Sequence, residues 1–223
     1  MTNVQQSVGE LAASRPLSIL VYKKFGIDFC CGGGRSLATA LEEKAVSAED
    51  FFRQLELVEK EREAIAGRDF REMGAEDLSH YIEDTHHTYL RHALPEIADL
   101  LQAVIKAHGK NHRELFEVYR LYGQLKADLE QHLVKEENML FPDLIAAGED
   151  VRELAEEIMR EHEAAGELLT RLHEVTNHYA IPDDACPTYV RTYEKLLELE
   201  DDLHQHIHLE NNILLKSFAS KRD

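Results

Sequence analysis

The stretch Asp128-Leu129-Glu130-Gln131-His132-Leu133-Val134-Lys135-Glu136-Glu137-Asn138-Met139-Leu140 decides the fold, because it recurs as Asp202-Leu203-His204-Gln205-His206-Ile207-His208-Leu209-Glu210-Asn211-Asn212-Ile213-Leu214. At one fixed offset Asp128, Leu129, Gln131, His132, Glu136, Asn138 and Leu140 fall on Asp202, Leu203, Gln205, His206, Glu210, Asn212 and Leu214. Residues four apart share a helix face, so each copy stacks a histidine against a glutamate. Val118, Tyr122, Leu125 and Leu129 lead into the first pair, with Met139 after it; Leu196, Leu199 and Leu203 lead into the second, with Ile213 after it. This is the spacing of an amphipathic helix, and His-x-x-x-Glu interrupts its apolar seam both times.

Two more helical seams accompany these. One runs through Val151, Ala155, Ile158, His162, Ala165, Leu169 and Leu172; the other through Leu90, Leu94, Ile97, Leu101 and Val104. Extending the latter backward by a turn reaches His86 or His87, which periodicity does not separate, and one of the two is expected to point inward. A shift close to that of the repeat brings His87 onto His162. Breakers at His108-Gly109-Lys110-Asn111, Ala147-Gly148 and Ala180-Ile181-Pro182-Asp183-Asp184 separate the four patterns. No useful length alternates with a strand's period. The chain therefore reads as all-α, with an antiparallel four-helix bundle over residues 75–219 made of two hairpins. Each hairpin offers one histidine from its first helix and His-x-x-x-Glu from its second.

Buried carboxylates facing one another are costly, and cations relieve that cost. Two bridging glutamates, Glu136 and Glu210, with imidazoles from His132, His162, His206 and one of His86 or His87, leave each of two metals an open position and room for a bridging oxygen. Imidazole and carboxylate suit iron or manganese in helical bundles, whereas closed zinc sites favour thiolates, so iron is expected. His80, His92, His173, His178, His204 and His208 lie off the seams or near helix ends and are expected to be solvated. His108 and His112, beside the first interhelical loop, are candidates for auxiliary ligands. Glu161, next to His162 in the sequence, reads equally as a carboxylate that orients a ligand or as surface charge, and Glu137 as solvated.

Residues 1–66 form a different region. All thirteen histidines lie between His80 and His208, so the first 79 residues have none. Short helices are expected over Gly9–Phe25, over Ser36–Lys44, and from the capping signal Ser47-Ala48-Glu49-Asp50 to about Ala66, ended by Gly67. Few residues here suggest a large core. Gly32-Gly33-Gly34 follows no strand and precedes no Gly-Lys-Ser/Thr, which leaves a flexible turn rather than a phosphate loop. Cys30 and Cys31 sit near the start of the 36–44 helix, where a positive dipole end would lower a thiol pKa, and they are candidates for reactive, catalytic thiols. Cys186, before Pro187, reads as structural.

Composition sets further limits. With 223 residues, 43% hydrophobic and 30% charged, the chain has the makeup of a globular protein of one or two domains. A net charge of -18 disfavours binding to nucleic acid phosphates and favours a cationic partner. The run Leu17–Tyr22 is too short to span a membrane, no export signal is evident, and membrane association is not expected. Adjacent Cys30 and Cys31 are poorly placed for a relaxed disulfide, which points to reduced thiols and a cytoplasmic home.

Several blocks resemble a known family: Asp28-Phe29-Cys30-Cys31-Gly32-Gly33, Leu94-Pro95-Glu96, His132-x-x-Lys135-Glu136-Glu137, the run from Glu161-His162 to Leu168-Leu169, and His206-x-x-Leu209-Glu210-Asn211-Asn212. Together they are similar to the iron-sulfur cluster repair di-iron proteins, the YtfE/ScdA group, which join a small Cys-Cys domain to a haemerythrin-like bundle. In that group the first-helix ligand lies seven residues before Leu-Pro-Glu, which implies His87 rather than His86. The resemblance implies metal ligands His87, His132, Glu136, His162, His206 and Glu210, holding two non-haem iron ions under oxo and carboxylate bridges. The fourth helix ends Leu214-Leu215-Lys216 where the group often has Phe-Pro, a departure that bears on the helix end more than on the ligands.

The resemblance also implies a cytoplasmic stress protein that restores iron-sulfur clusters damaged by nitric oxide or peroxide, by supplying iron. Its partners would be proteins with damaged clusters and small ligands such as NO or O2, and a homodimer is among the admissible assemblies. Two other functions fit an open di-iron site: redox chemistry on nitric oxide or nitrite, resembling a nitric oxide reductase, and sensing of oxygen or iron. In each, Cys30 and Cys31 would receive or relay nitrosyl groups or iron.

Overall fold

The computed structural model describes residues 4–61, 69–146 and 151–216. Ten α-helices are found among them: α1 (Val8–Ser14), α2 (Ser18–Phe25), α3 (Leu37–Glu43), α4 (Ala48–Glu61), α5 (Ala75–Ile82), α6 (Thr88–His108), α7 (Glu114–Lys135), α8 (Phe141–Ile145), α9 (Val151–Val175) and α10 (Pro187–Leu209). No strand occurs among the described residues, in keeping with the all-α reading. No described helix is long and apolar enough to cross a membrane. The expected helix end at Ala66-Gly67 and the breaker Ala147-Gly148 lie outside the described residues.

The chain divides into two compact units, Met1–Ser79 with His204–Asp223 and His80–Leu203, so the division falls within α10. In the second unit α6, α7, α9 and α10 share one core. Leu94, Ile97 and Leu101 meet Val118, Leu125 and Leu129, then Leu169 and Leu172, then Leu196, Leu199 and Leu203. Each such leucine contributes about 1.5–3 kcal/mol by leaving water. The buried Tyr122 hydroxyl donates to the Leu94 carbonyl at 2.6 Å.

Three turns of π-helix interrupt these helices, at Glu83–His87, Glu136–Leu140 and Glu210–Leu214. A π-turn inserts one residue into the i→i+4 ladder and moves every later side chain by about a hundred degrees. This corrects two seam assignments. Met139, expected inside, is exposed, and Leu140 takes its place; Ile213 is only half-buried, and Leu214 takes its place.

In the first unit α1 begins at a full capping box, in which the Ser7 hydroxyl accepts from the Glu10 N–H and Glu10 accepts from the Ser7 N–H. The single helix expected over Gly9–Phe25 is broken between Ser14 and Ser18. Pro16 explains the break, since the residue before proline is pushed out of helical backbone. Leu11, Tyr22, Phe29, Leu37, Phe51 and Leu55 are buried together, so this unit has a larger core than its sequence suggested.

Candidate metal centre

The second π-turn places Glu136 at the end of α7, one turn beyond His132, with its carboxylate wholly buried. Its two oxygens face different imidazoles. Oε2 lies 3.4 Å from His87 Nε2, while Oε1 lies 3.1 Å from His132 Nε2 and 3.8 Å from His162 Nε2. His132 and His162 face each other Nε2 to Nε2 at 3.1 Å. Within the second unit, three of the six expected ligands are therefore gathered around the carboxylate of a fourth.

Further carboxylates set the orientation of these rings. His87 Nδ1 lies 2.7 Å from Glu137 Oε1, and Arg91 pairs with the same carboxylate. His132 Nδ1 lies 2.8 Å from Glu161 Oε2, and Lys135 pairs with Glu161. A carboxylate accepts, so each Nδ1 carries a hydrogen and each Nε2 is the atom directed inward, able to hold a proton there or to exchange it for a metal ion. Phe141 stacks on His87 at 5.7 Å and walls off that side.

The electrostatics are those of a charged, buried site. Burial alone would push the His132 imidazole down, but the Glu136 carboxylate outweighs it and brings the group up to about 9. Burial likewise opposes ionisation of Glu136, yet the facing imidazoles hold it well below the ordinary range. Glu161 is held at about 2, chiefly by its hydrogen bond from His132 and also by Lys135. A cation among the Nε2 atoms would take over the charge that protons supply in its absence. The donor set of imidazoles and carboxylate fits such an ion.

The remaining two expected ligands belong to the first unit. His206 and Glu210 are both buried, Nε2 to Oε1 3.2 Å, the same stacking as His132 and Glu136. Cys30 and Cys31 lie in that unit with their sulfurs 3.8 Å apart. The N–H groups of Cys30, Cys31 and Gly32 donate to the Asp28 carboxylate at 3.0, 3.1 and 2.8 Å, so the turn is organised by a side chain rather than flexible. Cys31 is exposed and Cys30 buried. The expected lowering of the thiol pKa fails at Cys30: its bond with Cys31, then burial and Asp28, push it well up. The start of α3 is instead capped by the Ser36 hydroxyl.

Several other expectations need correction. His86 and His87 are both buried, because the π-turn brings both inward; His86 Nδ1 lies 2.9 Å from Asp202 Oδ1. Glu137, expected in solvent, orients His87, and Glu161 proves to be a partner of His132. His208, expected in solvent, is wholly buried, with Nδ1 donating to the Phe29 carbonyl at 3.2 Å. His80, His92 and His178 are exposed, as expected, and His173 and His204 half-buried. His108 and His112 gather with Asp184. No local sequence pattern marks Glu137 or His208, since their partners are remote in the chain.

Imidazoles aimed at a buried carboxylate on an all-α scaffold define a cation-binding helical protein. The comparisons agree: the hemerythrin HHE cation binding domain matches residues 78–217, and a domain of unknown function named ScdA_N matches residues 4–59. The iron-sulfur cluster repair protein ScdA of Staphylococcus haemolyticus is 32% identical over 98% of this chain and all of its own length. A probable iron-sulfur cluster repair protein of Haemophilus influenzae is 31% identical over the whole of both chains. The iron-sulfur cluster repair protein YtfE of Pectobacterium atrosepticum is 35% identical over 94% of each chain. The chain belongs to this hemerythrin-type family of ScdA and YtfE proteins.

Proposed function

We propose that the chain holds a pair of iron ions on His87, His132, Glu136, His162, His206 and Glu210 in an antiparallel four-helix bundle, and that it restores damaged iron-sulfur clusters by giving up that iron. The observation that carries this reading is Glu136, whose two oxygens address His87 on one side and His132 with His162 on the other. A carboxylate used in both directions suits two cations better than one. The internal repeat supports a second such carboxylate in Glu210, with His206 beside it. The names of the relatives support cluster repair as the task.

In this reading the domains are 1–66, bearing the Cys-Cys turn, and 75–219, bearing the metal. The iron is cargo, and the chain's residues govern its release. Protonation of the Nε2 atoms and of the two glutamates competes with iron, while Glu137 and Glu161 hold the His87 and His132 rings ready to receive it again. Cys31, exposed beside buried Cys30, is the thiol placed to meet a partner or a nitrosyl group. Reduced thiols fit a cytoplasmic setting, with damaged cluster proteins as partners.

The test is anaerobic loading followed by transfer. Two iron ions per chain are expected, fewer in Glu136→Ala and in Glu210→Ala, and the loaded chain should reactivate an apo-cluster enzyme faster than the same concentration of free ferrous ion. One ion per chain would reject the pair, and no gain over free iron would reject donation.

A further inference from the structure

A second group of ligating side chains lies where the α6–α7 turn meets the segment before α10. His108 ends α6, and the N–H groups of Asn111 and His112 both return to its carbonyl at 2.9 Å. This extra turn stacks His112 over His108, four residues apart. The loop Pro182-Asp183-Asp184-Ala185-Cys186 approaches them, folded by the Ala185 N–H donating to the Pro182 carbonyl at 3.0 Å. One ligand atom each from His108, His112 and Asp184 comes within 4.8 Å of the others. Cys186 closes the same loop, two residues beyond Asp184, and its thiol pKa is lowered to about 7, first by the Tyr189 N–H and then by His108.

We propose that His108, His112, Asp184 and Cys186 form a separate binding site for a divalent cation of the zinc class, which ties the loop before α10 to the turn between α6 and α7. Two imidazoles, a carboxylate and a thiolate are the mixed nitrogen, oxygen and sulfur set that borderline cations take in tetrahedral geometry. Ligand atoms around such an ion stand about 3.5 Å apart, so small side-chain rotations close the site on His108, His112 and Asp184, and Cys186 joins them as the loop tightens.

Two features favour this over a chance meeting of surface groups. Tyr189, buried, meets both imidazoles edge-on at 5.3 and 5.5 Å and limits their rotation. Glu114 Oε1 sits 2.9 Å from His112 Nδ1, while Nε2 faces Asp184 at 2.8 Å. A carboxylate behind one ring nitrogen, with the other aimed at the ligand cluster, is the arrangement that orients metal-binding histidines. A pure hydrogen-bond network of Glu114, His112 and Asp184 would give no role to Cys186 or His108, and that difference makes the proposal testable.

Cobalt(II) is the probe, added to full-length Cys30→Ser/Cys31→Ser protein already loaded with iron, in which Cys186 is the only thiol. One further equivalent should bind with a sulfur-to-cobalt charge-transfer band. The band should vanish in Cys186→Ser, and affinity should fall at least tenfold in His112→Ala. In the wild-type chain, zinc should slow alkylation of Cys186, read by peptide mass spectrometry, at least tenfold, and should not do so in Asp184→Ala of unchanged helicity. Cobalt binding without the band, no further equivalent bound, or equal alkylation of Cys186 with and without zinc would each overturn the proposal. Failure of the central site would appear separately, as low iron content before cobalt is added.

Discussion

Replacement of Gly33 by alanine should loosen the Cys-Cys turn, by an amount set by Asn212. A Cβ at Gly33 would overlap Asn212 Oδ1 and stand 2.7 Å from the Phe29 carbonyl oxygen. The amide could rotate away only by surrendering its 2.9 Å hydrogen bond from Nδ2 to the Cys30 carbonyl. Overpacking of this kind costs about 1–3 kcal/mol. Asn212→Ala, which leaves the Cys30 carbonyl without its donor, should cost about 1–2 kcal/mol. The two substitutions share one contact, so together they should cost less than their sum, by at least about 0.5 kcal/mol. Gly34 gives the control: a Cβ there meets nothing within 4 Å, and Gly34→Ala should stay within about 0.5 kcal/mol of wild type.

Alkylation of Cys30 reads this directly. Cys30 is buried and reacts only when the turn opens, whereas exposed Cys31 serves as the internal reference. Each 1.4 kcal/mol taken from the closed state multiplies the Cys30 rate by about ten, so Gly33→Ala should accelerate it roughly 5- to 100-fold against Cys31. Equal rates in Gly33→Ala and Gly34→Ala, or strict additivity with Asn212→Ala, would refute the reasoning.

Glu161→Gln and Glu137→Gln should each weaken iron binding about 10- to 100-fold while leaving helicity unchanged, because they loosen the rings of His132 and His87 without removing a ligand; competition with a chelator measures it, and unchanged affinity in both would refute the assigned roles. His208 should make the metal-free protein acid-sensitive. Burial is the main force that lowers its pKa to about 4, and its Nε2 has no hydrogen-bond partner among the described residues. The unfolded chain thus takes up the proton first: the contribution to stability is intact above about pH 6.5 and is lost as pH falls toward 4, roughly 3 kcal/mol in all. His208→Gln, which can keep a donor toward the Phe29 carbonyl, should flatten that slope in urea titrations at pH 7 and pH 5.

The seams of the four long helices were legible because leucines at three- and four-residue spacing have only one way to leave water together. Val118, Leu125 and Leu129, or Ala155, Ile158 and Leu172, are buried where periodicity put them. The proposed ligands stood out for the opposite reason, as polar residues placed where a seam should be apolar, and His132, Glu136, His162, His206 and Glu210 are indeed buried. What escaped was backbone detail with no residue signature. A π-turn changes one hydrogen bond and leaves composition untouched, so Met139 and Leu140, Ile213 and Leu214, and the pair His86 and His87 could not be sorted by a uniform helical period. Pro16 is a different case, because the break between α1 and α2 was written in the sequence and apolar continuity masked it. Burial of His208 against Phe29 depends on a contact between the two ends of the chain, which no local pattern reports.

The positions of the π-turns are informative in themselves. His87 closes one, Glu136 opens another and Glu210 opens the third, so each begins or ends on a proposed ligand. An unbroken α-helix could set His132 over Glu136, yet the next seam position, Met139, would then also point inward and compete for the space beside the carboxylate. The extra residue turns Met139 out and brings Leu140 in, so the apolar seam resumes beyond the glutamate without crowding it. The same exchange of Ile213 for Leu214 follows Glu210 in the second copy of the repeat. A distortion found after both glutamates, in segments that otherwise share seven identical residues, is best explained by the demand that each carboxylate face inward with room around it.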